Sequence, residues 1–138
     1  MEINKYKKQH KKKNIYKNEK NCLSPIKYGL YGIKIISGVY ITTKQLELCR
    51  RIITRITKRK SKVIISIRCG HPLTKKSLMS RMGKGCGNIN SYISYLKIGK
   101  ILVEINGISS IDINKINKQI KYKLPFKLVI IKREFIDA

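Results

Sequence analysis

Between Leu48 and Val103 the chain carries fourteen lysines and arginines and no aspartate or glutamate. A fold built from that stretch has almost no internal partner for its cations, so the faces that carry them must turn outward and meet something negative. The rest of the chain follows suit, with 32 basic residues against 7 acidic ones and a formal net charge of +25. Nucleic acid is the natural counterpart, because Lys and Arg that neutralise backbone phosphates release condensed counterions. A membrane surface is the competing polyanion, yet no run of about eighteen apolar residues offers a span. The first twenty residues hold eight lysines and no apolar segment of the kind a secretory signal needs. Cys22, Cys49, Cys69 and Cys86 contain no C-x-x-C pair, and only His10 and His71 could assist them, which argues against a zinc site or a disulfide framework. No metal, cofactor, membrane or small-molecule substrate is expected.

With 42% hydrophobic residues in 138, the chain can build one core. Residues 1–21 read as a basic arm, with Lys5, Lys7, Lys8, Lys11, Lys12 and Lys13 around Tyr6, His10 and Tyr16, that orders only against a partner. Residues 22–138 read as a single α+β domain in which two helices pack on a largely antiparallel sheet. Tyr28 to Ile36 is β-rich and bent near Gly29, Gly32 and Gly38. Thr42 and Gln45 have the spacing of a capping box, and Leu46, Cys49, Ile53 and Ile56 recur at helical intervals to about Lys58. The opposite face presents Lys44, Arg51, Arg55 and Lys58, with Arg50 and Arg59 at the flanks. This is either a solvated face or a phosphate contact, and the want of any acid after Glu47 favours phosphate.

Alternation from Val63 to Cys69 predicts a strand, with Arg68 on its polar side. Gly70-His71-Pro72 then breaks it, and residues 70–90 are expected to form a long basic loop holding Lys75, Lys76, Arg81, Met82, Gly83, Lys84, Gly85 and Gly87. Tyr92 to Lys97 and Lys100 to Asn106 are expected to pair as an antiparallel hairpin through Ile98-Gly99. A second helix is predicted from about Asp112 to Lys123, and a last strand from Phe126 to Lys132. From the Gly83-Lys84-Gly85 spacing alone, a loop moulded by RNA and an unliganded surface excursion stand equal. The pattern is not that of a nucleotide-binding loop, which needs G-x-x-x-x-G-K-[ST]. His71 has no nucleophile or orienting carboxylate nearby in sequence, so an enzyme is not expected. Cys49 reads as core.

At this resolution of motif the chain resembles the L-sixteen family of large-subunit ribosomal proteins, whose archaeal and eukaryotic counterpart is L-ten-e. The resemblance rests on Lys5-Tyr6-Lys7-Lys8-Gln9-His10-Lys11 and on Tyr28-Gly29-Leu30-Tyr31-Gly32-Ile33-Lys34. It continues through Ile41-Thr42-Thr43-Lys44-Gln45-Leu46-Glu47, Arg50-Arg51-Ile52-Ile53-Thr54-Arg55 and Lys58-Arg59. Pro72-Leu73-Thr74-Lys75-Lys76 and Arg81-Met82-Gly83-Lys84-Gly85-Cys86-Gly87 follow in register, as do Gly99 to Ile105 and Lys123 to Lys127. Cys86 stands where the family usually has a second lysine, Gly70-His71 replaces an acid and a lysine, and Ile98 replaces a proline. The resemblance implies binding to large-subunit rRNA, neighbouring ribosomal proteins and A-site tRNA. It also implies that the loop from Arg81 to Gly87 reaches toward the peptidyl transferase region, Gly83, Gly85 and Gly87 letting backbone approach RNA. Ile, Lys, Asn and Tyr supply 68 of the 138 residues, and all four have A/T-rich codons. An organellar ribosome is therefore expected, mitochondrial with plastid as the alternative. The competing classes are a general nucleic-acid binder outside the ribosome and a membrane-active cationic protein.

Overall fold

A computed structural model describes residue 8 and residues 24–37, 39–83 and 85–133. Of the residues singled out above, Lys5, Lys7, Lys11, Lys12, Lys13 and Lys84 lie outside the described residues, as do Tyr6, His10, Tyr16, Cys22 and Gly38. The elements run β1 (Tyr31–Ile35), β2 (Val39–Thr42), α1 (Thr43–Ile56), β3 (Lys62–Ile65), β4 (His71–Lys75), β5 (Asn88–Leu96), β6 (Ile101–Asn106), α2 (Ser110–Lys123) and β7 (Leu128–Lys132). This is the α+β class the sequence predicts, but the strands form two sheets, ordered β3-β6-β1-β7 and β2-β5-β4, with every pairing antiparallel.

The four-stranded sheet is built around β6, in which all five residues from Ile101 to Ile105 are buried. Val103 and Ile105 enter a core shared with Ile33 and Ile35 of β1, Leu46, Cys49 and Ile53 of α1, and Ile113, Ile116 and Ile120 of α2. Each fully buried Ile or Leu contributes about 1.5–3 kcal/mol relative to exposure, and α1 also lies against α2. Glu104 points to the other face of the sheet, in one row with Ile64, Gly32 and Ile131 of the neighbouring strands. Residues 24–29 cross that face. Tyr28 and Gly29 donate their backbone N–H groups to Glu104 Oε2 at 2.7 and 2.9 Å, and Lys27 donates to Oε1 at 3.4 Å. A Cβ on Gly29 would stand 2.9 Å from the Ile105 nitrogen, and one on Gly32 3.0 Å from the Ile26 side chain, so these two glycines let the segment lie close.

Burial works to raise the pKa of Glu104, but the three N–H bonds and the nearby Arg133 outweigh it and hold the carboxyl below its ordinary value. A buried carboxylate thus stands in an otherwise apolar run from Ile101 to Ile105.

The predicted hairpin between Tyr92–Lys97 and Lys100–Asn106 does not form. The turn is there, with Lys100 donating to the Lys97 carbonyl at 3.3 Å and Gly99 at φ 85°. However, β5 pairs with β2 and β4, while β6 pairs with β1 and β3, so the turn passes the chain from one sheet to the other. The predicted strand over Val63 to Cys69 is also cut short. β3 ends at Ile65, and Ile67 and Cys69 stay buried where the chain crosses between sheets. Finally, residues 70–90 are not one loop, because His71–Lys75 and Asn88–Leu96 pair as strands. Pro72 does not break β4, because that strand lies at the edge of its sheet, where one missing N–H costs little.

Candidate nucleic-acid interface

Helix α1 starts where the sequence says it should. Thr42 accepts from the Gln45 backbone N–H at 3.3 Å while the Gln45 side chain accepts from the Thr42 N–H at 2.9 Å, completing the capping box. Leu46, Cys49 and Ile53 face the core, and burial pushes the Cys49 thiol up to about 11, which fits a packing role rather than thiol chemistry. Lys44, Arg50, Arg51, Arg55, Lys58 and Arg59 are all exposed.

These cations are not equivalent. Glu47 accepts from Arg50 Nε and Nη2 at 2.9 and 2.7 Å and from Arg51 Nε at 3.1 Å. Those bonds, Arg50's first, draw the Glu47 carboxyl down to about 2, so the cluster stays paired through the physiological range. Sequence reading missed this clamp, although the three- and four-residue spacings from Glu47 carry it. Among the described residues, Lys44, Arg55, Lys58 and Arg59 form no ion pair.

The C-terminal end of α1 fixes two of these in an unusual way. Thr57 caps the helix, and Arg59 donates its backbone N–H to the Thr54 carbonyl at 3.1 Å while Lys58 donates to Arg55 at 3.3 Å. This is a Schellman closure, which ordinarily places glycine after the cap. Here Lys58 and Arg59 take the left-handed conformation at φ 48° and 64°. Buried Thr57 steadies the turn, donating to the Ile53 carbonyl and accepting from Ser61, both at 2.9 Å.

Sheet pairing ties this helix to the basic loop. β2 pairs with β5 only over Ile93 to Leu96, whereas β4 pairs with it from Asn88 to Ile93. Thr43 Oγ1, in the first turn of α1, donates to the Tyr92 carbonyl at 3.3 Å. Beyond Ile93 the strands β4 and β5 therefore continue as a two-stranded ribbon of about 17 Å, at ~3.3 Å per residue, with a bulge between Leu73 and Thr74. Residues 76–87 form the loop at its end. His71, at the ribbon's root, packs its ring on Tyr95 at 5.3 Å, and its Nε2 has no hydrogen-bond partner among the described residues.

Within the loop the glycines divide by task. Gly83 and Gly85 adopt φ 91° and 80° in open space, so they supply conformation. Gly87 supplies room, because a Cβ there would stand 2.3 Å from the Lys75 carbonyl oxygen. Lys76 Nζ donates across the loop to the Gly83 carbonyl, and Lys8 Nζ lies 3.4 Å from the Cys86 carbonyl, bringing one arm lysine to the same loop. A groove of about 560 Å³ runs between the loop's two limbs. Arg81 and Met82 are exposed, Met82 at 94%. Arg68 and Lys75 are exposed as well, Arg68 on the crossover between sheets. The structure thus joins the α1 face and the loop through one small sheet. Among the described residues no cluster of three or more His, Cys, Asp or Glu side chains could hold a metal, and no helix is long and apolar enough to cross a membrane.

Compared with known proteins, residues 1–131 match the family model described as "Ribosomal protein L16p/L10e". The chain is 36% identical over 129 residues to "Large ribosomal subunit protein uL16" of Buchnera aphidicola subsp. Cinara cedri, covering 94% of this chain and 93% of that one. It is 39% identical over 128 residues to the protein of the same name in Buchnera aphidicola subsp. Baizongia pistaciae, covering 92% and 91%. To "Large ribosomal subunit protein uL16c" of Emiliania huxleyi it is 37% identical over 107 residues, 78% of each chain.

Proposed function

The chain belongs to the ribosomal protein L16p/L10e family, and we infer that it binds large-subunit rRNA through the α1 face and the N-terminal arm while its β4–β5 loop extends toward A-site tRNA and the peptidyl transferase region. As a member of that family it is a structural constituent of the large ribosomal subunit and works in translation, not as an enzyme. The observation that carries the finer reading is the ribbon. It holds a glycine-bearing loop, with Arg81 in water, well away from the core and at a fixed relation to the α1 cations. A solvated excursion would have no need of a two-stranded support. In this reading Lys44, Arg50, Arg51, Arg55, Lys58, Arg59 and Arg68 meet phosphates, as do Lys75 and Lys76 at the loop's stem. Lys5, Lys7, Lys8, Lys11, Lys12 and Lys13 neutralise the strand that the arm follows. Arg81, Met82, Gly83, Lys84, Gly85 and Gly87 form the tip. The ribosome is that of an organelle, the mitochondrion ahead of the plastid, a reading supported by the A/T-rich residue usage and testable by immunoblot of purified organelles.

Sucrose-gradient sedimentation of native lysate tests the core of this. The protein should migrate with large-subunit rRNA at moderate salt, and ribosomes carrying Arg81→Ala should assemble but translate slowly. A protein that stays at the top of the gradient would overturn the assignment to the particle. Normal translation by the Arg81→Ala subunits would remove the role given to the loop.

A further inference from the structure

The outward side of α2 has no part in the reading above. Ile113, Ile116 and Ile120 bury one face of this helix. On the opposite face Ile111, Lys115, Lys118 and Tyr122 follow at steps of four, three and four residues, so they form one line of roughly 16 Å at ~1.5 Å per residue. The two apolar members stay in water, Ile111 at 68% and Tyr122 at 80% exposure. Asp112, the one acid of α2, lies 3.6 Å from Lys115. Lys118, Lys121 and Lys123 are exposed and form no ion pair among the described residues. They stand four before, one before and one after Tyr122, and among the described residues no hydrogen bond or ring contact engages that tyrosine.

An aromatic ring held in water among three cations matches the chemistry of an unpaired nucleotide. The ring offers a base its stacking face, and the ammonium groups take the flanking phosphates. A duplex would use the lysines but could not reach the ring. A protein partner would have to bring acids for every lysine and would find only Ile111 and Tyr122 to bury, too little apolar area for a stable contact. We propose that α2 is a second RNA-contacting helix, on which Tyr122 stacks with an unpaired base while Lys118 and Lys121 bind phosphates of the same strand. The inference rests on the rRNA binding proposed above and extends it from α1 to the helix packed beside it.

The test uses the full chain and two probes, a mixed-sequence twelve-nucleotide single-stranded RNA and a duplex of the same length, with affinity followed by fluorescence anisotropy at about 0.3 M salt. Tyr122→Ala should weaken single-strand binding about tenfold, within the range of base stacking on an aromatic side chain, and leave duplex binding unchanged. Tyr122→Phe should restore it. Lys118→Ala with Lys121→Ala should lower the slope of log affinity against log salt by about 1.4 for the single strand. If Tyr122→Ala leaves single-strand affinity as it was, or weakens both probes alike, the stacking site does not exist. Arg51→Ala with Arg55→Ala separates the two readings. Loss on that variant but not on the α2 variants overturns the α2 site alone, and no loss on either overturns the RNA-binding reading beneath it.

Discussion

Lys58 and Arg59 stand back to back in a backbone region that costs a side-chain-bearing residue about 1–2 kcal/mol. Glycine after the cap would close the helix without that cost, so the two cations are held there at the expense of stability. Lys58→Gly should therefore stabilise the free protein by about 1 kcal/mol in urea unfolding and reduce the salt slope of RNA binding by up to about 0.9. A variant less stable than the parent would refute the strain. Glu104 works in the opposite sense, since its lowered pKa adds stability that is present above the ordinary carboxylate value and disappears as pH falls through the folded value. Glu104→Gln leaves buried N–H donors poorly matched and should cost about 1–3 kcal/mol at pH 7. Its deficit relative to the parent should shrink by pH 3, and a deficit of equal size at both pH values would mean that charge is not what the segment 24–29 requires.

At the level of elements, local signals were legible and pairing was not. The capping box at Thr42 and Gln45, the helical recurrence of Leu46, Cys49 and Ile53, and the isoleucines of α2 each announce themselves within one or two turns, and both helices lie where expected. The residues of the α1 face were legible for the same reason, being the complement of the buried stripe. The hairpin expected at Ile98-Gly99 does not form because a turn fixes only where the chain bends, and the partners of β5 and β6 are chosen by strands as distant as Tyr31 and Val63. Nothing near Pro72 says that its strand sits at an edge, so a tolerated proline looks like a break. Gly87 resembles Gly83 and Gly85 in sequence and differs only through the Lys75 backbone across the ribbon. These elements can be separated by experiment. Replacing residues 77–85 with a short Gly-Ser turn should leave the thermal midpoint of the free protein within about 2 °C, since exposed loop residues contribute little packing. Large subunits carrying the same replacement should fail in tRNA-dependent peptide synthesis. A large fall in the midpoint would show that the loop belongs to the fold rather than to the partner.

The molecule as a whole carries +25 with few acids to answer it, so in isolation its parts repel one another across distances comparable with the Debye length. Raising monovalent salt from 0.05 to 0.5 M should therefore raise its melting temperature, and a gain of about 1 kcal/mol corresponds to roughly 4 °C. A midpoint that falls with salt would show that the ion pairs of Glu47 and Asp112 outweigh the repulsion. The ribbon also bears on how such a molecule can vary. Its far strands lie outside the shared core, so their length is free of the demands that fix Ile101 to Ile105 of β6. Adding two residues to each strand would keep the side-chain faces in phase and carry the tip outward by about 6.6 Å, while one residue added to each would turn the tip over. The fold can thus be read as a boom with a graduated scale: the two-sheet body and α1 stay as they are while reach changes in whole notches, so that one body could carry booms of different length.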